Sequence, residues 1–314
     1  MIQLSQQQID QTLNYPSLIE ALRIGFTADY QIPTRMHTNY NNPVDKSENT
    51  LLLMPAISIG NIVGVKIVNV APKNGAHNLP SIHGVYYVSD ANTGQPLALM
   101  DAKSLTNWRT AATSALATDF LARENCSTLL MVGTGSLAPY LIDAHAANRP
   151  IKRLLVYGRN TAKAEALATS KVGQFVSVEV VEDLSTAIPQ ADIISTATLS
   201  KDPLIHGDYL VPGQHIDLVG SYKPDLREAD NVVMRRGQIY ADLTSQAIRE
   251  SGDLALPIAE GILQPDEIIG DLFQLCRNEV DGRQNVEDIT VFKSVGHALE
   301  DLVAAQLILS LINK

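Results

Sequence analysis

The stretch STLLMVGTGSLA, residues 127–138, decides the fold of more than half of this chain. An apolar run ends in Gly133 and Gly135, and Ala138 takes the third small position of a G-x-G-x-x-A pattern. The first glycine permits a tight turn, the second lets a pyrophosphate approach the backbone, and the small third residue lets helix and strand pack closely. The free amides at the helix start then face the phosphates. Taken alone, the stretch fits a simple turn and a phosphate-binding loop about equally well.

The sequence that follows alternates apolar strands with segments that can hold helices. This alternation is typical of a doubly wound parallel sheet. The end of the chain, residues 289–312, predicts a strand, a glycine turn and an amphipathic helix that returns to the first domain. The predicted strands are TLLMVG (128–133), RLLVYG (153–158), VSVEVV (176–181), ADIISTAT (191–198) and HIDLVGS (215–221).

The end of the second strand favours a dinucleotide phosphorylated on its ribose. An acidic residue at this place normally binds the ribose 2′-hydroxyl of NAD. This chain has VYGRNTAK at residues 156–163, so that Arg159, Asn160, Thr161 and Lys163 offer a cationic, hydroxyl-rich site. A guanidinium suits a 2′-phosphate. The loop at 133–138 is therefore interpreted as a phosphate cradle, with NADPH preferred and NADH also considered.

Composition and charge exclude several classes of protein. The 314 residues are 45% hydrophobic and 18% charged, which is typical of a globular chain of two domains. A formal net charge of −10 without a basic run argues against nucleic-acid binding. No apolar stretch is long enough to span a bilayer, and the amino terminus has no targeting pattern, so a cytoplasmic protein is expected. Cys126 and Cys276 show no metal-ligand spacing and are expected to be core thiols, with no metal site.

The first 125 residues give a mixed pattern. A short helical start precedes strand-like runs at 51–57, 63–68 and 84–90, and VSDANTGQPLALMD (88–101) predicts a β-hairpin. The alanine-rich segment 106–122 predicts a helix capped by Ser104 or Thr106, with Arg109 in its first turn. There the guanidinium and the free amides could together hold a carboxylate.

Three cations of this part are candidates for a substrate site: Arg35, Lys66 and Arg109. Lys66 lies within the apolar run VGVKIV, so it is either on a wet face of the strand or buried with an anionic partner. A single cation in such a context is more often structural than functional. Composition does not indicate whether the three cations belong to one site.

The chain resembles the ornithine cyclodeaminase and μ-crystallin family over nearly its whole length. The resemblance rests on MPA (54–56), GVKIV (64–68), TGQPLALMDA (93–102), RTAATSALA (109–117), GTGSLA (133–138) and VFKSVGHALEDL (291–302). It implies a discontinuous α/β domain for substrate binding and dimerisation, residues 1–118 with 297–314, and a Rossmann domain with a doubly wound parallel sheet, residues 119–296. The substrate is expected between the two domains, and the protein is expected to be a homodimer.

The resemblance also implies roles for individual residues. Arg35, Lys66 and Arg109 match positions that bind the substrate carboxylate, with Lys66 also close to the reacting carbon and nitrogen. Arg109 is expected near the coenzyme as well. The other positions implied at the coenzyme are Ser81, Thr110, Ser136, Leu137, Thr196, Ala197, Thr198, Val219, Ser294 and Val295.

One departure from the family decides between activities. Ornithine cyclodeaminases carry an aspartate soon after the fifth strand, and VGSYKPDLRE (219–228) has Tyr222 at that place, with Asp225 just beyond the proline. A tyrosine, with an ordinary pKa of about 10, does not replace an ionised carboxylate as a base. A register shift that restores Asp225 is the minor alternative.

The expected activity is NAD(P)H-dependent reduction of a cyclic ketimine carboxylate, Δ1-pyrroline-2-carboxylate, to L-proline. The six-membered Δ1-piperideine-2-carboxylate, which gives L-pipecolate, is a second candidate substrate. The proton donor is Lys66, His83 or a water molecule. The alternatives are ornithine cyclodeamination, an alanine dehydrogenase-like activity, and a non-catalytic NADPH-binding protein.

Overall fold

A computed structural model describes residues 1–312 of the chain, so the last two residues of the predicted range 297–314 lie outside the described residues. The chain divides into two compact units. Unit 1 consists of Met1–Arg109 and the segment that begins at His297, and unit 2 is Thr110–Gly296. The sequence placed the first boundary after residue 118, further along the same helix.

Unit 1 is a six-stranded sheet with helices. Its strands are β1 (Ile2–Leu4), β2 (Met36–Asn41), β3 (Glu48–Ile57), β4 (Ile62–Val70), β5 (Ile82–Asp90) and β6 (Pro96–Asp101). Its helices are α1 (Gln6–Thr12), α2 (Tyr15–Thr27), the beginning of α3 (Ala102–Leu121), and α11 (Ala298–Ile312), with a 3-10 helix at Pro72–His77. The strand order is β1-β6-β5-β4-β3-β2, in which only the β1–β6 pair is parallel.

One face of this sheet is buried. Met54, Lys66, Tyr86 and Met100 form one cross-strand row on it, because each is paired with the next in register. Helix α11 packs against β3, β4 and α2.

The long helix α3 begins earlier than the sequence predicted. The Asp101 carboxylate accepts a hydrogen bond from the backbone N–H of Ser104 at 2.7 Å, so the helix starts directly after β6. The proposed caps Ser104 and Thr106 therefore lie inside the helix, and the placement of Arg109 in the first turn was wrong. Because Arg109 lies in the interior of α3, its guanidinium is not near the free N–H groups of the helix start and cannot bind a ligand together with them.

Unit 2 is built on an eight-stranded sheet. Its strands are β7 (Thr128–Val132), β8 (Arg153–Tyr157), β9 (Ser177–Val180), β10 (Ile193–Thr196), β11 (His215–Leu218), β12 (Gln238–Ala241), β13 (Ile268–Asp271) and β14 (Thr290–Lys293). Its helices, besides the rest of α3, are α4 (Ala138–Asn148), α5 (Thr161–Ser170), α6 (Leu184–Ala187), α7 (Asn231–Arg236), α8 (Thr244–Glu250), α9 (Gly252–Ala259) and α10 (Leu272–Cys276). Short 3-10 helices occupy Ile188–Gln190, Gly207–Tyr209 and Pro265–Glu267.

The strand order of this sheet reverses at one point, between β7 and β10. The sheet runs β13-β12-β14-β11-β10-β7-β8-β9, and all of its strand pairs are parallel, as the alternating pattern predicted. The chain moves outward from β7 to β8 and β9 and then returns to place β10 on the other side of β7. Ligands of doubly wound sheets bind at such a reversal, outside the carboxyl ends of the strands.

Several elements were missed or misjudged in the sequence. Strands β1, β2, β12 and β13 were not predicted. Helix α11 was predicted to be amphipathic, but it is buried from Ala298 to Ala305. A side chain at Gly25 of α2 would come within 2.6 Å of Val303, so α11 is packed closely on this side as well as against the sheet.

Two simpler expectations concern hydropathy. Both cysteines, Cys126 and Cys276, are buried thiols, as predicted. Within residues 1–312, every helix is too short or too polar to reach across a lipid bilayer.

Candidate functional site: a coenzyme pocket and a buried charge cluster

Unit 2 has a pocket at the reversal between β7 and β10. Its volume is about 420 Å³, and it is walled by the segments that follow β7, β8 and β10. Seven residues predicted for the coenzyme line it: Gly133, Gly135, Arg159, Asn160, Lys163, Ala197 and Thr198. The other lining residues are Thr134, Tyr157, Gly158, Leu199, Ser200 and Leu204.

The glycine loop has the geometry of a phosphate cradle. Gly133 has a φ of +120°, and a Cβ there would lie 2.6 Å from the carbonyl oxygen of Ala197, so only glycine fits. Gly135 is exposed, and a Cβ on it would meet no atom of the described chain within 4 Å. No side chain in the described part of the molecule caps the amino terminus of α4. The loop therefore leaves room and backbone donors for an anionic group.

The end of β8 carries positive charge. Arg159 and Lys163 are both exposed at the pocket. Asn160 has a structural task in addition to its place in the pocket, because its Oδ1 accepts a hydrogen bond from the backbone N–H of Lys163 at 3.0 Å and caps α5. The lining residues include no aspartate or glutamate. The end of β8 therefore offers the pocket two cationic side chains and no carboxylate.

Strand-end residues predicted for the coenzyme lie next to this pocket or along the same edge. Thr196 ends β10 and is buried, and Val219 directly follows β11. Ser294 and Val295 follow β14, where Asp242 Oδ2 accepts from the Ser294 hydroxyl at 3.1 Å and the Val295 N–H at 2.7 Å. Three further predicted residues stand at helix starts, Ser136 and Leu137 before α4 and Thr161 as the first residue of α5.

Unit 1 contains a buried cluster of two cations and two carboxylates. Lys66 Nζ lies 2.7 Å from Asp301 Oδ2, and Arg109 Nε lies 3.0 Å from Asp301 Oδ1. Arg109 Nη1 also reaches Glu300 Oε2 at 2.7 Å. Lys66 and Arg109 are 4% and 5% exposed, and both carboxylates are 0% exposed. The expectation that a buried Lys66 needs an anionic partner is thus confirmed, and the partner belongs to the chain itself.

Burial sets the ionisation of this cluster. Desolvation, with help from the Arg109 guanidinium, lowers the pKa of Lys66 to about 8, although the Asp301 carboxylate opposes the shift. Desolvation would raise the pKa of Asp301, but Arg109 and Lys66 together hold it below its ordinary value. Tyr86, paired with Lys66 across β4 and β5, has a buried hydroxyl with no hydrogen-bond partner among the described residues. Burial thus brings the pKa of Lys66 closer to neutral pH than that of an exposed lysine.

The remaining predicted residues are more dispersed. Arg35 directly precedes β2, whose first residue, Met36, is paired with Leu53 of β3. Ser81 is exposed just before β5. His83 is exposed and paired with Asn69, which puts it on the opposite face of the sheet from Lys66. Thr110 follows Arg109 in α3 and is buried.

Sequence reasoning missed Glu300 and Asp301. The signal was present, because GHALED places two acids one after the other in an otherwise apolar helix, where unpaired carboxylates are rare. Which cations they neutralise depended on the sheet register and on the docking of α11, which spacing in the sequence does not give.

The profile of the ornithine cyclodeaminase/mu-crystallin family matches residues 2–313. The chain belongs to this family. Protein SAR DEFICIENT 4 of Arabidopsis thaliana is 40% identical, over 88% of this chain and 86% of the relative. The Δ1-pyrroline-2-carboxylate reductase of Colwellia psychrerythraea is 37% identical, over 96% of each chain.

A solved structure extends the likeness to the fold. The Δ1-pyrroline-2-carboxylate reductase of Thermococcus litoralis, in complex with NADH and L-proline, matches with a TM-score of 0.90 and 30% identity, over 99% of this chain and 97% of that one. Unit 2 accordingly has the Rossmann architecture of nicotinamide-dependent reductases.

Proposed function

We propose that this chain reduces Δ1-pyrroline-2-carboxylate to L-proline with NADPH. The coarser part of this statement, a nicotinamide-dependent oxidoreductase that acts on an imine, follows from the family and from relatives named Δ1-pyrroline-2-carboxylate reductases. The single observation that carries the choice of substrate is the buried cluster of Lys66, Arg109, Glu300 and Asp301.

The charges of this cluster suit a zwitterion. Two cations and two carboxylates cancel, so an added anion would leave net charge in a buried place, which is costly. A cyclic imino acid with a protonated nitrogen carries one charge of each sign. Its carboxylate is proposed to bind Arg109, with Arg35, which directly precedes β2, as a further cation, while the chain's own carboxylates balance the positive charge of the iminium.

Lys66 is the proposed proton donor. A reduced nicotinamide, when bound at the unit 2 pocket, supplies the hydride. Lys66 keeps the imine nitrogen protonated from its Nζ, and Asp301 holds that ammonium in place at 2.7 Å. The residues proposed to hold the coenzyme through its phosphates and ribose are Gly133, Gly135, Ser136, Leu137, Arg159, Asn160 and Thr161. The residues proposed to lie beside the rest of the coenzyme are Ser81, Arg109, Thr110, Thr196, Ala197, Thr198, Val219, Ser294 and Val295.

This role predicts a pH dependence. With the pKa of Lys66 lowered to about 8, the ammonium form dominates below that pH and is lost above it. We expect kcat/KM for the imine to fall as the pH rises through about 8. The control is Lys66→Arg, whose guanidinium keeps the charge but does not release a proton in this pH range, so its kcat/KM should be low and should not fall at about pH 8. A profile identical in both proteins would assign the fall to the substrate's own nitrogen.

Ornithine cyclodeamination is not favoured. Tyr222, which stands at the place of the family aspartate, is 39% exposed, and partial desolvation raises its pKa further above neutral, so its hydroxyl stays protonated at neutral pH. Asp225 is exposed and pairs with Lys201 at 3.1 Å. A carboxylate held at the surface by a lysine is poorly placed to act as the missing base.

The preference for NADPH has its own test. We expect Arg159→Ala to lower kcat/KM with NADPH by roughly 10- to 100-fold, the worth of a charge-assisted hydrogen bond, and to change that with NADH by less than about twofold. Lys152→Ala is the matched control, because Lys152 is exposed at the opposite end of β8. Equal losses with both coenzymes would contradict a 2′-phosphate site.

We further propose that unit 1 is the substrate-binding and dimerisation domain. The face of its sheet opposite Lys66 carries partly exposed apolar side chains, among them Leu53, Val65, Ile67, Val85 and Tyr87. An apolar sheet face of this kind suits a second copy of the chain. Light scattering should give the mass of a dimer, and a monomer at micromolar concentration would count against this proposal.

The identity of the substrate is tested by comparing the rates of four reactions. Coenzyme oxidation is measured with Δ1-pyrroline-2-carboxylate, with Δ1-piperideine-2-carboxylate, and with pyruvate plus ammonia, beside ammonia release from L-ornithine. The five-membered imine should give the highest kcat/KM. Faster turnover of pyruvate would indicate an amino-acid dehydrogenase, ammonia from ornithine a cyclodeaminase, and coenzyme binding without any turnover a non-catalytic protein.

A further inference from the structure

Glu228 is a buried carboxylate that joins two strand-end loops of unit 2. It lies between β11 and α7 and is 0% exposed. Its Oε1 accepts hydrogen bonds from the backbone N–H of Thr198 at 2.7 Å and from the Thr198 hydroxyl at 2.8 Å. Its Oε2 accepts from the backbone N–H groups of Gly220 at 2.6 Å and Ser221 at 3.3 Å. One side chain thus binds the segment after β10 to the segment after β11.

A second carboxylate fixes Glu228 from behind. Asp253 Oδ1 accepts from the backbone N–H groups of Glu228 at 2.7 Å and Ala229 at 3.1 Å. Asp253 Oδ2 pairs with Lys293 Nζ at 3.2 Å, and both side chains are 0% exposed. Since Lys293 ends β14, the network connects the carboxyl ends of three neighbouring strands.

The two loops joined by Glu228 leave almost no space between them. A Cβ on Gly220 would lie 2.0 Å from the carbonyl oxygen of Thr198. On its other side the same segment meets the glycine loop, where Gly133 approaches Ala197. Ala197 and Thr198 both line the pocket. A small movement of Thr198 would therefore change the pocket wall.

Stability alone does not account for this arrangement. Burial raises the pKa of Glu228, so the ionised form is costly here and needs its four donors. Well-packed apolar residues often replace buried ionic groups without loss of stability, whereas groups of this kind can fix one conformation. Both hydrogen-bond donors of Thr198 are directed to Glu228, so Thr198 contributes to the pocket through its shape.

Resting on the proposed coenzyme site, we propose that Glu228 is a positioning residue that sets the wall of that site by holding Thr198 and Gly220 together. Glu228 itself does not line the pocket. It acts through the backbone of the two loops, and its loss should weaken coenzyme binding before it affects any chemical step.

The test compares Glu228→Gln with Asp192→Asn. Asp192 is a matched control at the opposite edge of the same sheet. Its carboxylate accepts from the backbone N–H groups of Ser127 at 2.8 Å and Thr128 at 3.0 Å, and it pairs with Arg123 at 2.5 Å. In E228Q the new amide NH2 must face a backbone N–H group, and in D192N it must face either a backbone N–H group or the Arg123 guanidinium, so both should lower the melting temperature.

The readout is the Kd of NADPH, titrated by nicotinamide fluorescence without any imine. We expect E228Q to raise this Kd about tenfold, because one buried backbone N–H group would face another donor and lose its acceptor. D192N should leave the Kd within about twofold. An unchanged Kd in E228Q, or an equal rise in both variants, would overturn the proposal.

A second pair of variants covers the case in which E228Q does not fold. Gly282→Ala would place a Cβ 2.3 Å from the Phe120 carbonyl oxygen, outside the pocket lining, and Gly220→Ala would place one 2.0 Å from the Thr198 carbonyl oxygen and so push apart the two loops that Glu228 joins. The Kd of NADPH should stay within about twofold in the first and rise roughly threefold or more in the second. Equal values in both would again contradict the proposal. A wild-type chain that binds NADPH but reduces no imine refutes only the proposed function, and a wild-type chain that binds no nicotinamide coenzyme refutes both.

Discussion

Replacing Lys66 by methionine should lower kcat/KM for Δ1-pyrroline-2-carboxylate by about a thousandfold, within the usual range for loss of a general acid. The substitution keeps the length of the side chain and removes its charge and its proton. Asp301 retains its ion pair with Arg109, so the buried carboxylate is not left alone. The measurement is steady-state oxidation of NADPH at several imine concentrations.

The control for this variant is Lys103→Met. Lys103 is exposed in the first turn of α3, in the same unit, and its loss should leave kcat/KM within about twofold. Lys66→Met should also bind NADPH as the wild-type chain does, because the coenzyme pocket belongs to unit 2. Activity within about threefold of wild type in the folded variant would exclude Lys66 as the proton donor.

Gly135→Glu should weaken NADPH binding by roughly a hundredfold. The new side chain would enter open space at the pocket and place a carboxylate where the pyrophosphate is proposed to lie. Such a juxtaposition of like charges costs several kcal/mol. The Kd is measured by nicotinamide fluorescence, and no activity is needed to interpret it.

The fold should tolerate this substitution, which separates binding from stability. Gly135 is exposed, and its backbone is not in the positive-φ region. Gln174→Glu, on an exposed position of the same unit outside the pocket, adds the same charge as a control. We expect it to bind NADPH normally. Unchanged binding in Gly135→Glu would mean that the phosphates do not pass this glycine.

The sequence predicted the parallel sheet well because its strands are buried on both faces. Runs such as TLLMV and HIDLV are continuous, and the turns between them carry the glycines and caps that end strands and start helices. Strands β12 and β13 were missed because their short apolar runs lie among polar segments. The start of α3 was misplaced because Asp101, the last residue of a strand, also accepts a hydrogen bond from the first turn of the helix.

The candidate site was predictable only where the local sequence determines the position of a residue. Gly133, Gly135 and Arg159 could be placed because local order after a strand determines their position. The partners of Lys66 and Arg109 could not, since they come from α11, nearly two hundred positions along the chain from Arg109. Glu228 gave no signal at all, because its role depends on two loops that meet only when β10 and β11 pair.

The central claim is that a hydride passes to the imine carbon of Δ1-pyrroline-2-carboxylate. It is tested most directly by incubating the chain with this imine and NADPH that carries deuterium on the transferred position of the nicotinamide. Mass spectrometry and chiral chromatography of the product should give L-proline with one deuterium on Cα. Proline without deuterium, or no proline while the coenzyme remains bound and reduced, would contradict the account.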